Sequence, residues 1–350
     1  MTRRSRADRK RVLVTGGAGY IGSHTVWQLV DAGYEVTVLD NLYSGHRWAV
    51  HPQAEFIVGD AGDTDKVRAL LRERGIISVV HFAGHIVVPE SVRDPLKYYH
   101  NNTAVSRNLM EASVAEGVTE FVFSSSAAVY GIPAKVPADE ETPTAPISPY
   151  GASKLMTEWM LRDLAVATVG SQRPFRYIAL RYFNVAGARL DGRLGQATPD
   201  ATHLIKTACL VACGLRSHID IFGTDYETPD GTCVRDYIHV EDLAAAHLLA
   251  LRYLGDGKPA QVLNCGYGRG SSVREVIEMV RRVSGQAVPV QEAGRRAGDP
   301  PLLTAAAERV RKVLGWVPQH QSLEVICRSA YEWERSFSKD GVVPEREGRR

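Results

Sequence analysis

The stretch VLVTGGAGYIG at positions 12–22 decides the fold. A short β-branched run enters a glycine-rich turn, and the turn opens a helical stretch reaching Ala32. Glycines there let the backbone turn tightly and approach a pyrophosphate at the positive end of the helix. The next apolar run, EVTVLD at 35–40, ends in Asp40, eighteen residues past Gly22. A carboxylate so placed bonds ribose hydroxyls and repels a 2′-phosphate, so strand, loop, helix and acid together imply NAD over NADP. The alternative is a plain strand-to-helix turn with Asp40 capping a later helix, and the order of elements weighs against it. Asp60, ending EFIVGD at 55–60, stands either at the adenine edge or in an ordinary turn.

Outward from this unit the pattern repeats. SVVHFAG at 78–84 and FVFSSS at 121–126 read as further strands separated by helix-length segments, which predicts βαβ units in a doubly wound parallel sheet of the Rossmann kind. YIALRYFN at 177–184 adds a strand after a helix near 150–168. Residues 11–188 therefore form the NAD-binding Rossmann domain, with return segments near 236–265. A Gly- and Pro-interrupted stretch at 189–235 and a helix-rich end at 271–335 place a smaller C-terminal substrate-binding lobe mainly at 189–335. Residues 1–10 and 336–350 read as a disordered basic tail and a flexible tail.

The chain has 350 residues and a formal charge of +2, so nothing calls for a nucleic acid or a membrane surface as partner. Six Lys/Arg among the first eleven residues suit a solvated tail or, less simply, a nucleic-acid arm, and no signal-peptide run follows them. Cys209, Cys213, Cys233, Cys265 and Cys327 are odd in number and form no CxxC or Cys/His cluster, so neither a disulfide framework nor a metal is expected. Their plain reading is free thiols in the cytoplasm.

SPYGASK at 148–154 reads as a helix start, with Ser148 the N-cap and Pro149 in the first turn. Tyr150 and Lys154, four apart, share one helix face. An ammonium beside a phenol favours the phenolate, and moving a tyrosine from about 10 toward neutrality takes about 4 kcal/mol of differential interaction. Such a tyrosine is a general base for a sugar hydroxyl. A packed ring and a solvated charge are the commoner fate of this pair. The serines at 124–126 tip the balance, because they end a strand at the sheet's carboxyl edge, where doubly wound folds bind ligands.

With these residues in view, the chain resembles the extended short-chain dehydrogenase/reductase superfamily and, within it, the UDP-glucose (UDP-galactose) 4-epimerase family. VLVTGGAGYIGSHT, LDNL, VVHFAG, PESVRDPLKYYHNN, FVFSSSAAVYG, SPYGASKLMTE, LRYFNVAGA, FGTDYETPDGTCVRDYIHVEDLA and RRAGDPP carry the resemblance over about residues 11–335. It implies Tyr150 as base, Lys154 as its tuner and ribose holder, and Ser126 as the proton-sharing hydroxyl. It implies a pyrophosphate cradle of Gly16, Gly19, Tyr20, Ile21 and Gly22, with Asp40, Asn41, Ser44 and Asp60 on the adenosine half. Phe82, Ala83, Gly84, Asn101 and Tyr182 would line the inner half of NAD. Asn184, His203, Leu204, Arg235, Arg296 and Asp299 match positions that grip UDP, and Leu303 the position beside the sugar's C2 substituent. Taken without the family, Arg235 reads equally as an ion pair with Asp236 or Glu241.

The resemblance implies a tightly held NAD, oxidation of a UDP-hexose to a 4-ketose and its reduction from the other face. UDP-glucose and UDP-galactose are the expected substrates. Leucine at 303, smaller than the tyrosine that would exclude an N-acetyl group, leaves UDP-N-acetylhexosamines as a side activity. Epimerases of UDP-GlcNAc or UDP-pentoses and a non-catalytic dinucleotide sensor stay open. A 4,6-dehydratase does not, since Ala127-Ala128 stands where that family carries an Asp-Glu pair. Two departures stand out: Ile86 replaces a lysine that touches NAD phosphates, and Pro89 replaces a glycine. Family members pair through two long helices, so the segments near 95–116 and 150–168 are the expected homodimer face.

Overall fold

The computed structural model describes residues 10–199, 201–296 and 299–339; both expected tails fall largely outside them. The chain opens with β1 (Arg11–Thr15), α1 (Tyr20–Asp31), β2 (Glu35–Asp40), β3 (Glu55–Val58), α2 (Thr64–Arg74) and β4 (Ser78–His81). Next come α3 (Val88–Arg93), α4 (Pro95–Tyr98), a π turn over Tyr99–Ala104, α5 (Val105–Ala115), β5 (Glu120–Ser124), α6 (Pro149–Ala167) and β6 (Arg176–Tyr182). The second half adds β7 (Asn184–Ala186), α7 (Leu204–Ala212), β8 (Ile219–Phe222), β9 (Val234–His239), α8 (Val240–Gly255) and β10 (Gln261–Cys265). It ends with β11 (Gly270–Ser272), α9 (Val273–Ser284), β12 (Val290–Ala293), β13 (Leu302–Leu303), α10 (Glu308–Leu314) and α11 (Leu323–Lys339).

Seven strands form one parallel sheet in the order β10-β6-β5-β4-β1-β2-β3. Apart from the edge strand β3, its strands are mostly buried on both faces, as a doubly wound sheet requires. Val12 and Val14 of β1 face one apolar cluster, with α1 and α8, while Leu13 faces the other, with α2 and α5. The helix starts follow from the residues there: Asp63 caps α2, Ser148 caps α6 ahead of Pro149, and Ser272 with Glu275 forms a reciprocal capping box on α9. The order reverses between β1 and β4, which opens a crevice at the carboxyl ends of the strands.

Three details differ from the expectation. The run 177–184 is two strands: β6 stays in the main sheet, and after Phe183 the chain crosses so that β7 pairs with β9. Of the segment 236–265, β10 joins the main sheet and α8 packs against α1, whereas β9 pairs with β7, β11 and β13 in a smaller sheet. The first apolar cluster also runs without a break from the main sheet into the lobe, through Ile205, Cys209, Ile219, Val276 and Ile326. Among the described residues no helix is long and apolar enough to cross a membrane, and all five cysteines are free thiols.

Four buried histidines make the fold sensitive to acid. Burial lowers His24 and His247 to about 4, and His81 and His239 to about 3. Their folded pKa values lie below the ordinary 6.5, so their contribution to stability is fully present above that pH and is lost as pH falls toward 4 and then 3. Each pH unit below 6.5 costs about 1.4 kcal/mol per histidine, on the order of 10 kcal/mol for the four at pH 4.5. Asp236, raised to about 6 by burial, works in the opposite direction, as do Asp40, Glu140, Glu241 and Glu334, whose pKa values burial also raises. Thermal melts across pH 7 to 4.5 are expected to show Tm falling; a flat Tm across that range would contradict the assignment.

Candidate active site

The glycine loop is shaped by contacts that leave no room for side chains. Gly16 has φ +70°, and a Cβ on it would lie 2.6 Å from the Ala83 nitrogen; one on Gly22 would lie 2.2 Å from the Gly16 oxygen. Gly19 begins α1 with no side-chain cap, so the N–H groups of Tyr20, Ile21 and Gly22, unpaired by helix geometry, point into the crevice. Asp40 does more than the sequence suggested. Its two oxygens accept from Ala18 N at 2.9 Å and Leu42 N at 2.8 Å, so a carboxylate lining the cleft also fixes the loop. Burial raises its pKa against those bonds. Asn41 donates to Asp60 at 3.5 Å, and Asp60 accepts from Gly62 N at 2.7 Å. An anion cradle followed by two carboxylates fits an unphosphorylated dinucleotide.

One cleft of about 950 Å³ runs from this loop into the lobe. Every candidate residue named above lines it except Lys154. Phe82, Ala83, Gly84 and Tyr182 sit where the main sheet ends, Asn101 on the π turn before α5, and Ser44 on the loop after β2. Tyr20 spans the two halves, its hydroxyl donating to Gly187 O at 2.6 Å.

Tyr150 stands in the first turn of α6, 7% exposed, its ring edge-on to Tyr98. Burial pushes its phenol up, and a hydrogen bond with Ser126 only partly offsets that. Lys154 lies behind the cleft wall, 3% exposed. Its ammonium donates to Ser124 O at 2.9 Å and sits 5.0 Å from the Phe123 ring centre, and burial lowers its pKa to about 8. The expected depression of the phenol by the lysine is thus not reached in the protein alone, because the same dry site disfavours both charges. The three serines divide their work. Ser124 Oγ pairs with Tyr182 Oη at 2.6 Å, Ser125 donates to Glu158 at 2.5 Å, and Ser126 turns to Tyr150 while also accepting from Ala128 N at 3.2 Å.

In the lobe Arg235 pairs with Asp299 at 3.6 Å, not with Asp236 or Glu241. Asp236 accepts from Tyr267 N and Gly268 N, and Glu241 accepts from Leu190 N. The guanidinium of Arg296 lies 3.6 Å from the ring centre of Phe222, a cleft residue the sequence reading missed. An aromatic ring in the FGTDY segment beside the basic RRAGD segment was the available signal. His203 precedes α7 and pairs with Gln196 at 2.9 Å, with Leu204 next to it. Asn184 bonds Tyr237, and Leu303 sits beside Arg235 on the neighbouring strand.

A model of the NAD dependent epimerase/dehydratase family matches residues 12–266. The chain belongs to the NAD dependent epimerase/dehydratase family. A UDP-glucose 4-epimerase of Azospirillum brasilense is 55% identical over 329 residues, 94% of this chain and 93% of the relative. The crystal structure of a Brucella ovis UDP-glucose 4-epimerase in complex with NAD is 43% identical, with TM-score 0.89 over 93% of this chain and 98% of that one. A Campylobacter jejuni UDP-Glc/GlcNAc 4-epimerase structure is 47% identical, with TM-score 0.81 over 93% of this chain and 99% of that one. NAD is the cofactor. In this member of the epimerase/dehydratase family, Ala127 and Ala128 line the cleft beside Ser126, so no acid–base pair for dehydration stands there. Ile86 also lines the cleft, 42% exposed, and brings no charge to the cofactor.

Proposed function

We propose that this chain is a UDP-glucose 4-epimerase, interconverting UDP-galactose and UDP-glucose through a 4-keto sugar. The observation that carries the reading is Tyr150 beside Ser126 midway along a single cleft, with a dinucleotide cradle at one end and Arg235 and Arg296 at the other. NAD supplies a reversible hydride acceptor for the sugar carbon. Tyr150 takes the O4 proton, Ser126 shares it, and Lys154 supplies the fixed positive charge that favours the phenolate. Arg235 and Arg296 suit a diphosphate by their planar forks of donors, and they keep UDP clamped while the sugar turns. After the sugar has turned, its C4 would take the hydride back on the opposite face, and Tyr150 returns the proton to O4.

Purified protein incubated with UDP-galactose is expected to yield UDP-glucose without added NAD. Absence of UDP-glucose from holoprotein with bound NAD would sink the reading.

A side activity on UDP-N-acetylhexosamines is favoured by Leu303, half-buried in the cleft wall beside Arg235. Leu303→Tyr should lower acetylated-sugar turnover at least tenfold, about 1.4 kcal/mol, and change UDP-galactose turnover less than threefold. Equal loss on both substrates would place Leu303 elsewhere.

Pairing into a homodimer is supported by apolar side chains left exposed along the segments expected to meet a second copy, Leu96 at 76% and Trp159 at 46%. Five free thiols suit the reducing cytoplasm. Nothing in the overall charge of +2 asks for a nucleic acid.

A further inference from the structure

Tyr150, Lys154 and Glu158 follow one another at four-residue intervals along one face of α6. The chemistry above uses the first two. Glu158 is 4% exposed, and its oxygens accept from Arg181 Nη2 at 2.6 Å, from Arg181 Nε at 2.9 and 3.2 Å, and from Ser125 Oγ at 2.5 Å. Arg181, on β6, also donates to the Tyr130 hydroxyl at 3.0 Å. A buried ion pair of this kind gives little net stability over an apolar pair of the same volume. Its position, one turn beyond the lysine, suggests another use.

We propose that Glu158 is a positioning residue of the active site: its buried negative charge keeps Lys154 protonated, and through the lysine it keeps Tyr150 able to act as a base. This rests on the reading of Tyr150 given above. The groups facing Lys154 can be taken element by element. On its own helix stand Tyr150, whose phenol is neutral, and Glu158. From β5 come the Ser124 carbonyl and the Phe123 ring. From β4 comes His81, neutral because burial and the lysine itself lower its pKa to about 3. Gly84 and the Asn102 amide close the remaining side, where a Cβ on Gly84 would lie 3.8 Å from the ammonium. Arg181 pairs with Glu158 and is not among the charges that act on the lysine. Among the described residues, Glu158 is the carboxylate whose charge acts to raise the lysine's pKa, which burial has brought to about 8. Without it the ammonium would be held by one carbonyl and a ring face in a dry pocket, and would lose its proton near neutral pH.

The sign of the effect on turnover follows. As pH rises through the lysine's pKa the cation disappears, the phenolate loses its support and turnover falls. Loss of Glu158 moves that alkaline limb to lower pH.

The test uses holoprotein with lysine enriched in carbon-13 at Cε, the Lys154 signal being the one absent from Lys154→Arg. In Glu158→Gln the Lys154 titration midpoint is expected to drop by at least one pH unit, and the alkaline limb of kcat with it, so that turnover at pH 8.5 falls about tenfold further than at pH 6.5. Glu158→Asp should keep most of the wild-type midpoint. Glu158→Gln with Arg181→Met leaves no charge unpaired, so it tests the idea even if the single variant does not fold, and it should show the same drop. A wild-type midpoint and alkaline limb in that double variant would overturn the proposal, since Glu158 would then serve only to neutralise Arg181. A wild-type protein that holds NAD but leaves UDP-galactose unchanged would instead remove the epimerase reading, and the lysine titration would still decide whether Glu158 sets its charge.

Discussion

Tyr150→Phe is expected to lower kcat for UDP-galactose by about 10²- to 10⁴-fold, the usual worth of a positioned general base, with KM changed less than threefold. The substitution removes one oxygen and little else. The ring is 7% exposed and packs edge-on to Tyr98, contacts that phenylalanine keeps. The groups assigned to the nucleotide, Arg235 and Arg296, lie on the lobe, away from α6. What disappears is the phenol that bonds Ser126 at the carboxyl edge of β5, so the O4 proton loses the base assigned to it. Product chromatography gives kcat and KM, while bound NAD per chain and the circular dichroism spectrum report whether the site stayed intact. Full turnover in a holoprotein would contradict the role given to the hydroxyl.

How much of this was legible in the sequence depends on how local each feature is. The unit β1, glycine loop, α1, β2 could be read because its signals are contiguous: a short β-branched run, glycines where a Cβ cannot fit, a helical stretch and a terminal acid. The expected end of β2 was met, whereas the runs quoted for β3, β4 and β5 continue two or three residues past the last ladder residue into the loops that follow. At β4, Phe82 still donates its N–H to Thr15 O, but the following residues turn away to wall the cleft. The partner of Arg235 was not legible for a different reason. Adjacent residues of a strand point to opposite faces, so Asp236, next in sequence, is turned into the core and held by three backbone N–H groups. The real partner, Asp299, follows a long excursion through β12. Nonlocal pairings of short strands, β8 with β12 and β9 with β7, β11 and β13, leave no periodic trace in any one segment. Nor does spacing tell that a lysine four residues after a tyrosine bonds a strand carbonyl behind the cleft wall, or that the carboxylate four further on lies within its field.

Gly22→Ala carries the second large expected effect: a folded protein purified with little bound NAD and with turnover below about a hundredth of wild type. Gly22 lies in the first turn of α1, and an added Cβ there would sit 2.2 Å from the Gly16 oxygen and 2.9 Å from the Gly17 Cα. Both obstacles are backbone, so no rotamer change relieves them. Gly16 cannot retreat either, since it is itself packed against the Ala83 nitrogen and Phe82 carbonyl carbon. The loop and the helix start must move apart, which costs about 1–3 kcal/mol as overpacking and shifts the free N–H groups of Tyr20, Ile21 and Gly22 from the pyrophosphate position. Hydrogen bonds to a charged partner are worth about 1.5–3 kcal/mol each, so misaligning two of them weakens cofactor binding by about 10²-fold or more. Gly33→Ala is the control. It lies just past the same helix with φ +88°, and nothing stands within 4 Å of its added Cβ, so it should cost about 1–2 kcal/mol of stability from backbone strain and leave the cofactor in place. NAD released per chain after denaturation, together with Tm, separates the two variants. If Gly22→Ala retains one NAD per chain and wild-type turnover, the close approach of loop and helix is not what holds the dinucleotide.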